Sequence, residues 1–414
     1  MSEEGEERAL QPSKALYGTG VAGSFADSLS NRYVSLLAVA VGVTVSQMSW
    51  LRAAESLSRH IFQFVWGRLV DRHGKRRFIL AGRVLNGALI AALIFIRTPG
   101  WLIPLVVGIA ICWSLASPAW SSLMGDYTTS STRGEVIGQI SSLSQAGGVA
   151  AMVISLLISL NQPEETTPES FTIILAMAAV MSIASGLLSI FAEEKPPAPS
   201  GERLDLSKLM GDKRYVRYLA INMVYGLSMS FAWPLFPFIV VDKLGMKIWQ
   251  IAAYSICSAV FAMLSQRRLG RLMDRIGRRP VVVFSRLSMV AAPLVYALAG
   301  DWTHILVAEA MLGVGMGAWM SSGPTYIMDM APSEMRATYI AANTAVFGVS
   351  SFIGNLAGGY VTDNFLATGG GFAGIQMGLL ISSVLRLVTG LLYLLIYETH
   401  LARDRGVEAE TKEL

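Results

Sequence analysis

The sequence predicts an all-α membrane protein, with twelve transmembrane helices in two pseudo-symmetric six-helix bundles. Three observations predict it. Apolar residues make up 53% of the 414, charged residues only 15%, and mean hydropathy is +0.50; soluble domains carry nearer a quarter charged residues. Apolar runs of about 20 residues, the length that crosses a hydrocarbon core, recur along the whole chain. A seventeen-residue cassette occurs twice, GRLVDRHGKRRFILAGR at 67–83 and GRLMDRIGRRPVVVFSR at 270–286, a shift of 203 positions.

The spans are expected at 17–40, 48–68, 78–96, 101–123, 136–160, 170–192, 216–240, 249–269, 280–299, 303–327, 338–362 and 373–397. Helix is preferred to strand because the runs are long and lack the ten-residue alternation of a barrel. The segment 193–215 is the one long break: Pro196, Pro197 and Pro199 stop the sixth helix. Leu204, Leu206, Leu209 and Met210 then suggest a short amphipathic helix along the membrane surface. The chain thus reads as residues 1–192, an N-terminal six-helix bundle; 193–215, a cytoplasmic linker; and 216–414, a C-terminal bundle with a polar tail.

Lysine and arginine in short loops set the orientation. The connections near 41–47, 161–169, 300–302 and 363–372 have none, and Arg97, Lys243 and Lys247 are the only ones on that side. The other side holds both cassettes, Arg133, Arg336 and Lys213–Arg217, so both termini are predicted cytoplasmic. The acidic start, SEEGEER, lacks the basic region of a cleaved signal. The net charge of +4 is a topological marker and does not point to nucleic acid. Cys112 and Cys257 fall inside spans and read as inert buried thiols.

Gly67, Arg68, Asp71, Arg72, Gly74, Arg76 and Arg83 recur as Gly270, Arg271, Asp274, Arg275, Gly277, Arg279 and Arg286. Asp126 and Arg133 return at the same shift as Asp329 and Arg336. Glycines at both ends of GRLVDRHG let one helix stop and the next begin. The aspartates lie beside helix termini, where they can accept backbone N–H bonds, and the arginines can hold them in charge-assisted pairs.

Both cassettes resemble the loop signature of the major facilitator superfamily, G-x-L-x-D-R-x-G-R-R, found between helices 2 and 3 and again between 8 and 9. The twelve spans and central linker fit that family over essentially the whole chain. The resemblance implies that Arg68, Asp71, Arg72 and Arg76, with Asp274 and Arg275, form cytoplasmic gate latches. Asp126, Arg133, Asp329 and Arg336 would be the matching charges. Subfamily markers are missing: helix 5 offers only Gly147 and Gly148 where the antiporter signature wants a Gly-Pro step, and the sugar-porter and peptide-transporter patterns are absent.

Charges also lie inside spans. On helix 1, Ser24, Asp27, Ser28, Asn31, Arg32 and Ser35 fall within about 140° of a helical wheel. On helix 2, Arg52, Glu55, Ser56, Arg59, His60, Gln63 and Trp66 do likewise. Facing lipid, five such charges would cost on the order of 10 kcal/mol, so they face a wet cavity or one another. Two readings stand: an internal ion-pair network at i,i+3 and i,i+4 spacing, or Asp27 and Glu55 as proton carriers with Arg32, Arg52 and Arg59 as anion contacts. The shift of 203 places Ser230, Leu235, Ser255 and Ser258 opposite Asp27, Arg32, Arg52 and Glu55, so these charges are not duplicated.

The second half offers Asn222, Tyr225, Trp233 and Phe236, and Trp319, Met320 and Tyr326, as surfaces for an organic solute. Pro234, Pro237 and Pro324 would kink those helices. Glu309 is a third acidic candidate, placed near the outer end where water can solvate it. Asn343 and Asn355 read as interhelical hydrogen-bonders, and the sequence offers no account of Arg386, mid-span in helix 12.

The expectation is a monomeric, multi-pass plasma-membrane carrier working by alternating access. It would be an antiporter coupled to protons that exports small organic or drug-like solutes, by likeness to proton-linked efflux members. Rivals are a proton-coupled carrier of an organic anion and a non-transporting receptor with the same fold. No enzyme is expected, since no nucleophile–base set or metal-spaced cluster is visible, and no cofactor or metal is implied.

Overall fold

The computed structural model describes residues 10–128, 133–161, 167–196, 206–332, 335–367 and 371–399. All its regular elements are helical: α1 (Lys14–Ala40), α2 (Val45–His73), α3 (Lys75–Leu93), α4 (Leu102–Asp126), α5 (Arg133–Ser159), α6 (Thr172–Leu188), α7 (Leu206–Gly211), α8 (Lys213–Ser230), α9 (Phe236–Phe238), α10 (Ile248–Ile276), α11 (Arg278–Ser288), α12 (Ala291–Leu298), α13 (Trp302–Met330), α14 (Arg336–Phe365) and α15 (Phe372–Leu392). A helix stands at each of the twelve expected spans, the seventh formed by α8 with α9 and the ninth by α11 with α12. Among the described residues, eight stretches are long and apolar enough to cross a membrane by length and composition alone. The rest fall short for a physical reason: α1, α2, α3 and α8 carry Asp27, Glu55, Arg83 or a basic first turn.

The chain divides into two compact units: Met1–Val43 with Ala54–Glu202 and Lys247–Trp249, and Thr44–Ala53 with Arg203–Met246 and Gln250–Leu414. Each repeats one packing plan. In the first, α1 lies against α5 and α6, and α3 against α4 and α6. In the second, α8 lies against α14 and α15, α11 against α13 and α15, and α12 against α15. Gly147 brings α5 onto α1, since a Cβ there would press on the Val21 carbonyl at 2.7 Å. Small residues at such crossings are what membrane helices use in place of a hydrophobic driving force.

Two spans of the second unit are broken. After α8 the chain turns through Phe231–Leu235 around Pro234, then passes into α9 and a π-helical turn, Ile239–Lys243. Between α11 and α12 the break falls at Met289–Val290, four residues before Pro293, whose missing N–H leaves the Met289 carbonyl without a helical donor. Pro324, expected to kink its helix, sits inside a continuous α13.

One face of α15 satisfies both breaks. Arg386, 1% exposed, donates from Nη1 to the Met289 carbonyl (3.0 Å) and from Nη2 to the Met229 carbonyl (2.6 Å). Ser383 donates to the Val290 carbonyl at 3.0 Å and Ser382 to the Ser228 carbonyl at 3.2 Å. Arg386 is therefore a clamp on two helix C-termini, where carbonyls lack intrahelical partners and a cation is favoured.

Candidate functional site

The cassettes make two one-residue hinges. α2 runs unbroken through Gly67 to His73, and α10 through Gly270 to Ile276. The leading glycines therefore do not end a helix, as the sequence had suggested. Only Gly74 (φ +94°) and Gly277 (φ +99°) break the backbone, each in a conformation that L side chains rarely adopt.

A carboxylate caps the helix that follows each hinge. Glu194 Oε2 accepts from Lys75 N (2.6 Å) and Arg76 N (3.0 Å). Glu398 accepts from Arg278 N (2.8 Å) and Arg279 N (3.0 Å). Both carboxylates sit at a helix N-terminus, where free N–H groups and the dipole favour an anion. Burial raises the Glu194 carboxyl, but the N–H bonds from Arg76 and Lys75 and the Arg76 guanidinium outweigh it and hold the group below the usual carboxylate range. Sequence reasoning missed these caps because 194 and 398 are 204 apart, one residue off the register of the cassette.

A second contact is duplicated. Lys75 Nζ pairs with Asp126, and its repeat mate Arg278 pairs with Asp329, Nε to Oδ2 at 3.0 Å. Asp126 also accepts from Lys195 N at 3.1 Å. Asp274 pairs with Arg278 at 2.6 Å, and Arg76 reaches Glu194 at 3.3 Å and the Ile190 carbonyl at 3.1 Å. Arg72 and Arg275 are exposed. Arg336 and Asp329 line one cavity of about 490 Å³ with Asp212, Arg214, Tyr397 and Glu398. The side chains of Arg68, Asp71 and Arg133 lie outside the described residues.

Inside the first unit, helix-face charges meet across four helices. Asp27 on α1 receives a bidentate pair from Arg83 on α3, at 2.7 and 3.0 Å. Arg83 belongs to the cassette, but it lies eight residues into α3, about 12 Å along the axis, so its role is in the span and not at the hinge. Trp113 Nε1 on α4 donates to the second Asp27 oxygen at 3.3 Å. The same indole carries the Arg59 guanidinium of α2 at 4.9 Å from its centroid. Arg59 also holds Glu55 at 2.8 Å and the Asn31 side-chain oxygen at 2.7 Å. One tryptophan thus joins two ion pairs, Asp27–Arg83 and Glu55–Arg59. Arg32 on α1 is half-buried, as is Arg52 in the stretch of α2 that belongs to the second unit.

The candidates of the second unit do not share one site. Asn222 is a buried hub: its oxygen accepts from Tyr393 (2.8 Å) and Arg286 (3.3 Å), and its nitrogen donates to Asn343 at 2.9 Å. Tyr225 is fully buried, with its ring 4.5 Å from the Arg286 guanidinium, which Trp319 covers at 3.5 Å. Tyr326 lies in the same buried cluster as Tyr225, one ring further on against Tyr218, donating to the Tyr397 carbonyl at 2.8 Å. Trp233 is half-buried beside Phe347. Glu309 is 3% exposed and accepts from Tyr296 at 2.8 Å, so it is an interior carboxyl and not the solvated outer one the sequence suggested.

A doubled helical bundle with hinged third helices and charges held inside its apolar spans has the make-up of a multi-pass membrane protein, and comparison with known proteins places it further. The model of the Major Facilitator Superfamily matches residues 16–267 and 218–414. Among curated relatives, the multi-drug resistance efflux pump PmrA of Streptococcus pneumoniae is 22% identical over 325 residues, 76% of this chain and 78% of that protein. The MFS-type transporter YhjO of Bacillus subtilis is 24% identical over 308 residues, 72% of this chain and 73% of its own. The multidrug transporter protein MdtP of Bacillus subtilis is 28% identical over 121 residues, which span only 22% of that relative. The nucleoside transporter NupG superposes with a TM-score of 0.68 at 13% identity, covering 93% of this chain and 99% of its own. A bacterial homolog of the human lysosomal transporter Spinster gives 0.71 at 15% identity, covering 94% and 96%. The chain belongs to the Major Facilitator Superfamily, a family of transporters and not of enzymes.

Proposed function

We propose that this transporter exports small organic, drug-like solutes by alternating access, driven by a proton gradient through Asp27. The observation that carries this reading is the Asp27–Arg83 pair, joined by Trp113 to Glu55–Arg59. A proton arriving on an Asp27 oxygen removes the anion that fixes Arg83 and weakens the acceptor for Trp113, so protonation is felt at Arg59 and Glu55 on α2. Such a network has two arrangements that a proton and a solute can bias against each other, which coupling requires. Arg32, Arg52 and His60 are the other ionisable groups on these faces of α1 and α2. Relatives named for multidrug efflux support the solute class.

In this reading residues 1–192 and 216–414 are the two bundles, 193–215 the linker, both termini are cytoplasmic, the protein acts as a monomer in the plasma membrane, and the hinges act as gate latches. Glu309, buried in the second unit, is the reserve proton site. The test is transport in proteoliposomes under an imposed pH gradient. Asp27→Asn is expected to abolish gradient-driven accumulation and leave solute counterflow intact. Accumulation that survives in Asp27→Asn would show that the proton travels elsewhere.

A further inference from the structure

Arg286 is 2% exposed, eight residues into α11, and surrounded by rings: Trp319 at 3.5 Å, Tyr225 at 4.5 Å and Tyr393 at 5.1 Å from the guanidinium carbon. Its side-chain partners are all neutral, the Asn222 oxygen at 3.3 Å and the hydroxyls of Tyr218, Tyr225 and Tyr393, and its Nε meets no protein acceptor. No carboxylate among the described residues lies within ion-pair distance.

The internal repeat makes this arrangement informative. The repeat mate of Arg286 is Arg83, which holds Asp27 bidentately. The mate of Asp27 is Ser230, whose hydroxyl is spent on its own helix, on the Gly226 and Leu227 carbonyls. The second half kept the cation and lost its anion. Cation–π contact with three rings offsets part of the burial of a guanidinium, and less than a carboxylate would.

We propose that Arg286 is a receptor for an anionic group on the transported solute, specifically a carboxylate carried on an aromatic body. A carboxylate matches the planar edge of one guanidinium bidentately, whereas a phosphate dianion would call for a second cation. Arg386 is not that cation: its Nη atoms are taken by the Met229 and Met289 carbonyls. The aromatic body is selected by the rings of Tyr225, Tyr393 and Trp319. Trp319 is the cover. It is half-buried where Arg286 is sealed, and its indole lies over Gly323 one turn along α13, where a Cβ would stand 2.5 Å from the ring. Of the three rings it alone is part-exposed, Tyr225 and Tyr393 being fully buried, so a solute would reach the guanidinium past this side chain.

This site deepens the reading that the chain moves organic solutes, and a binding measurement separates it from proton coupling. Purified full-length protein is titrated with benzoate, with benzylamine and inorganic phosphate as controls, reading thermal stabilisation and tryptophan fluorescence. Wild type is expected to bind benzoate saturably and in preference to both controls, and Arg286→Gln to lose at least tenfold in affinity. Asn222→Asp supplies the missing carboxylate beside Arg286, so it is expected to raise the melting temperature and abolish benzoate binding. Should Arg286→Gln fail to fold, Asn222→Asp still decides. Benzoate binding equal in wild type and Asn222→Asp, or binding of benzylamine or phosphate in its place, overturns the site. Such a result leaves gradient-driven transport through Asp27 untouched, while failure of Asp27→Asn to affect transport does not alter the benzoate result.

Discussion

Arg386 offers the most demanding test of the packing described above. Its guanidinium bridges the last carbonyls of two helices that break at different places, Met229 before the turn at Pro234 and Met289 four residues ahead of Pro293. Two hydrogen bonds from a charged donor contribute about 1.5–3 kcal/mol each, and membrane measurements of polar contacts run nearer 1 kcal/mol each. Arg386→Met forfeits both and strands two carbonyls, but it also removes the cost of burying a charge. The net expectation is a loss of about 2 kcal/mol. Arg386→Lys keeps the buried charge and replaces a planar fork by a single point, so it should be less stable than Arg386→Met. The assay is reversible unfolding of the detergent-solubilised protein by heat or denaturing surfactant. Were Arg386→Lys as stable as wild type, or Arg386→Met more stable, the clamp argument would be wrong.

Other expectations follow from the hinges and the charge network. Gly277→Ala should destabilise by about 1–3 kcal/mol, the range for a side chain forced into a glycine-only conformation; Gly74→Ala should cost less, because its Cβ would stand 3.1 Å from Glu194 where that at 277 stands 2.6 Å from Glu398. Unfolding midpoints of the two variants should rank accordingly. The Glu194 carboxyl titrates below its unfolded value, so its cap contributes fully above the unfolded pKa and is lost as pH falls through the folded one. Glu194→Gln should flatten the acid limb of a stability–pH curve, and an unchanged limb would mean that the cap carries no charge-dependent stability. Trp113→Phe keeps a ring under Arg59 but deletes the donor to Asp27; gradient-driven transport should fall roughly tenfold, on the order of 1.4 kcal/mol of lost coupling, while the fold survives. A Trp113→Phe transporter with wild-type pH dependence would separate the two ion pairs.

The repeat in the sequence carried much of this architecture. It placed a hinge in each half and matched Asp126 to Asp329, and each of those carboxylates meets the residue that follows the hinge glycine. What it could not show was depth. Arg83 and Arg286 look like the tail of a basic loop, yet each lies well inside a span, because helix starts directly at Lys75 and Arg278. The pairing of Asp27 with Arg83 joins residues 56 apart, a distance over which helical periodicity says nothing. Trp113 was invisible because one aromatic among many apolar residues has no sequence signature of a donor. The role of Arg386 required knowing where two other helices break, and those breaks only partly followed the prolines: Pro234 and Pro293 mark them, but Pro324 does not.

The two capping glutamates also say where each half of the chain is tied off. Glu194 lies at the start of the stretch that joins the halves, and Glu398 just before the final residues, and each is fastened to the third helix of its own half. Each half is closed by a knot of its own, so tension or slack added beyond the knot stays outside the bundle. Lengthening the joining stretch after residue 196, or fusing a reporter after residue 399, should be tolerated. A cut placed only a few residues earlier, before Glu398, would unfasten the start of α11 and with it the mounting of Arg286.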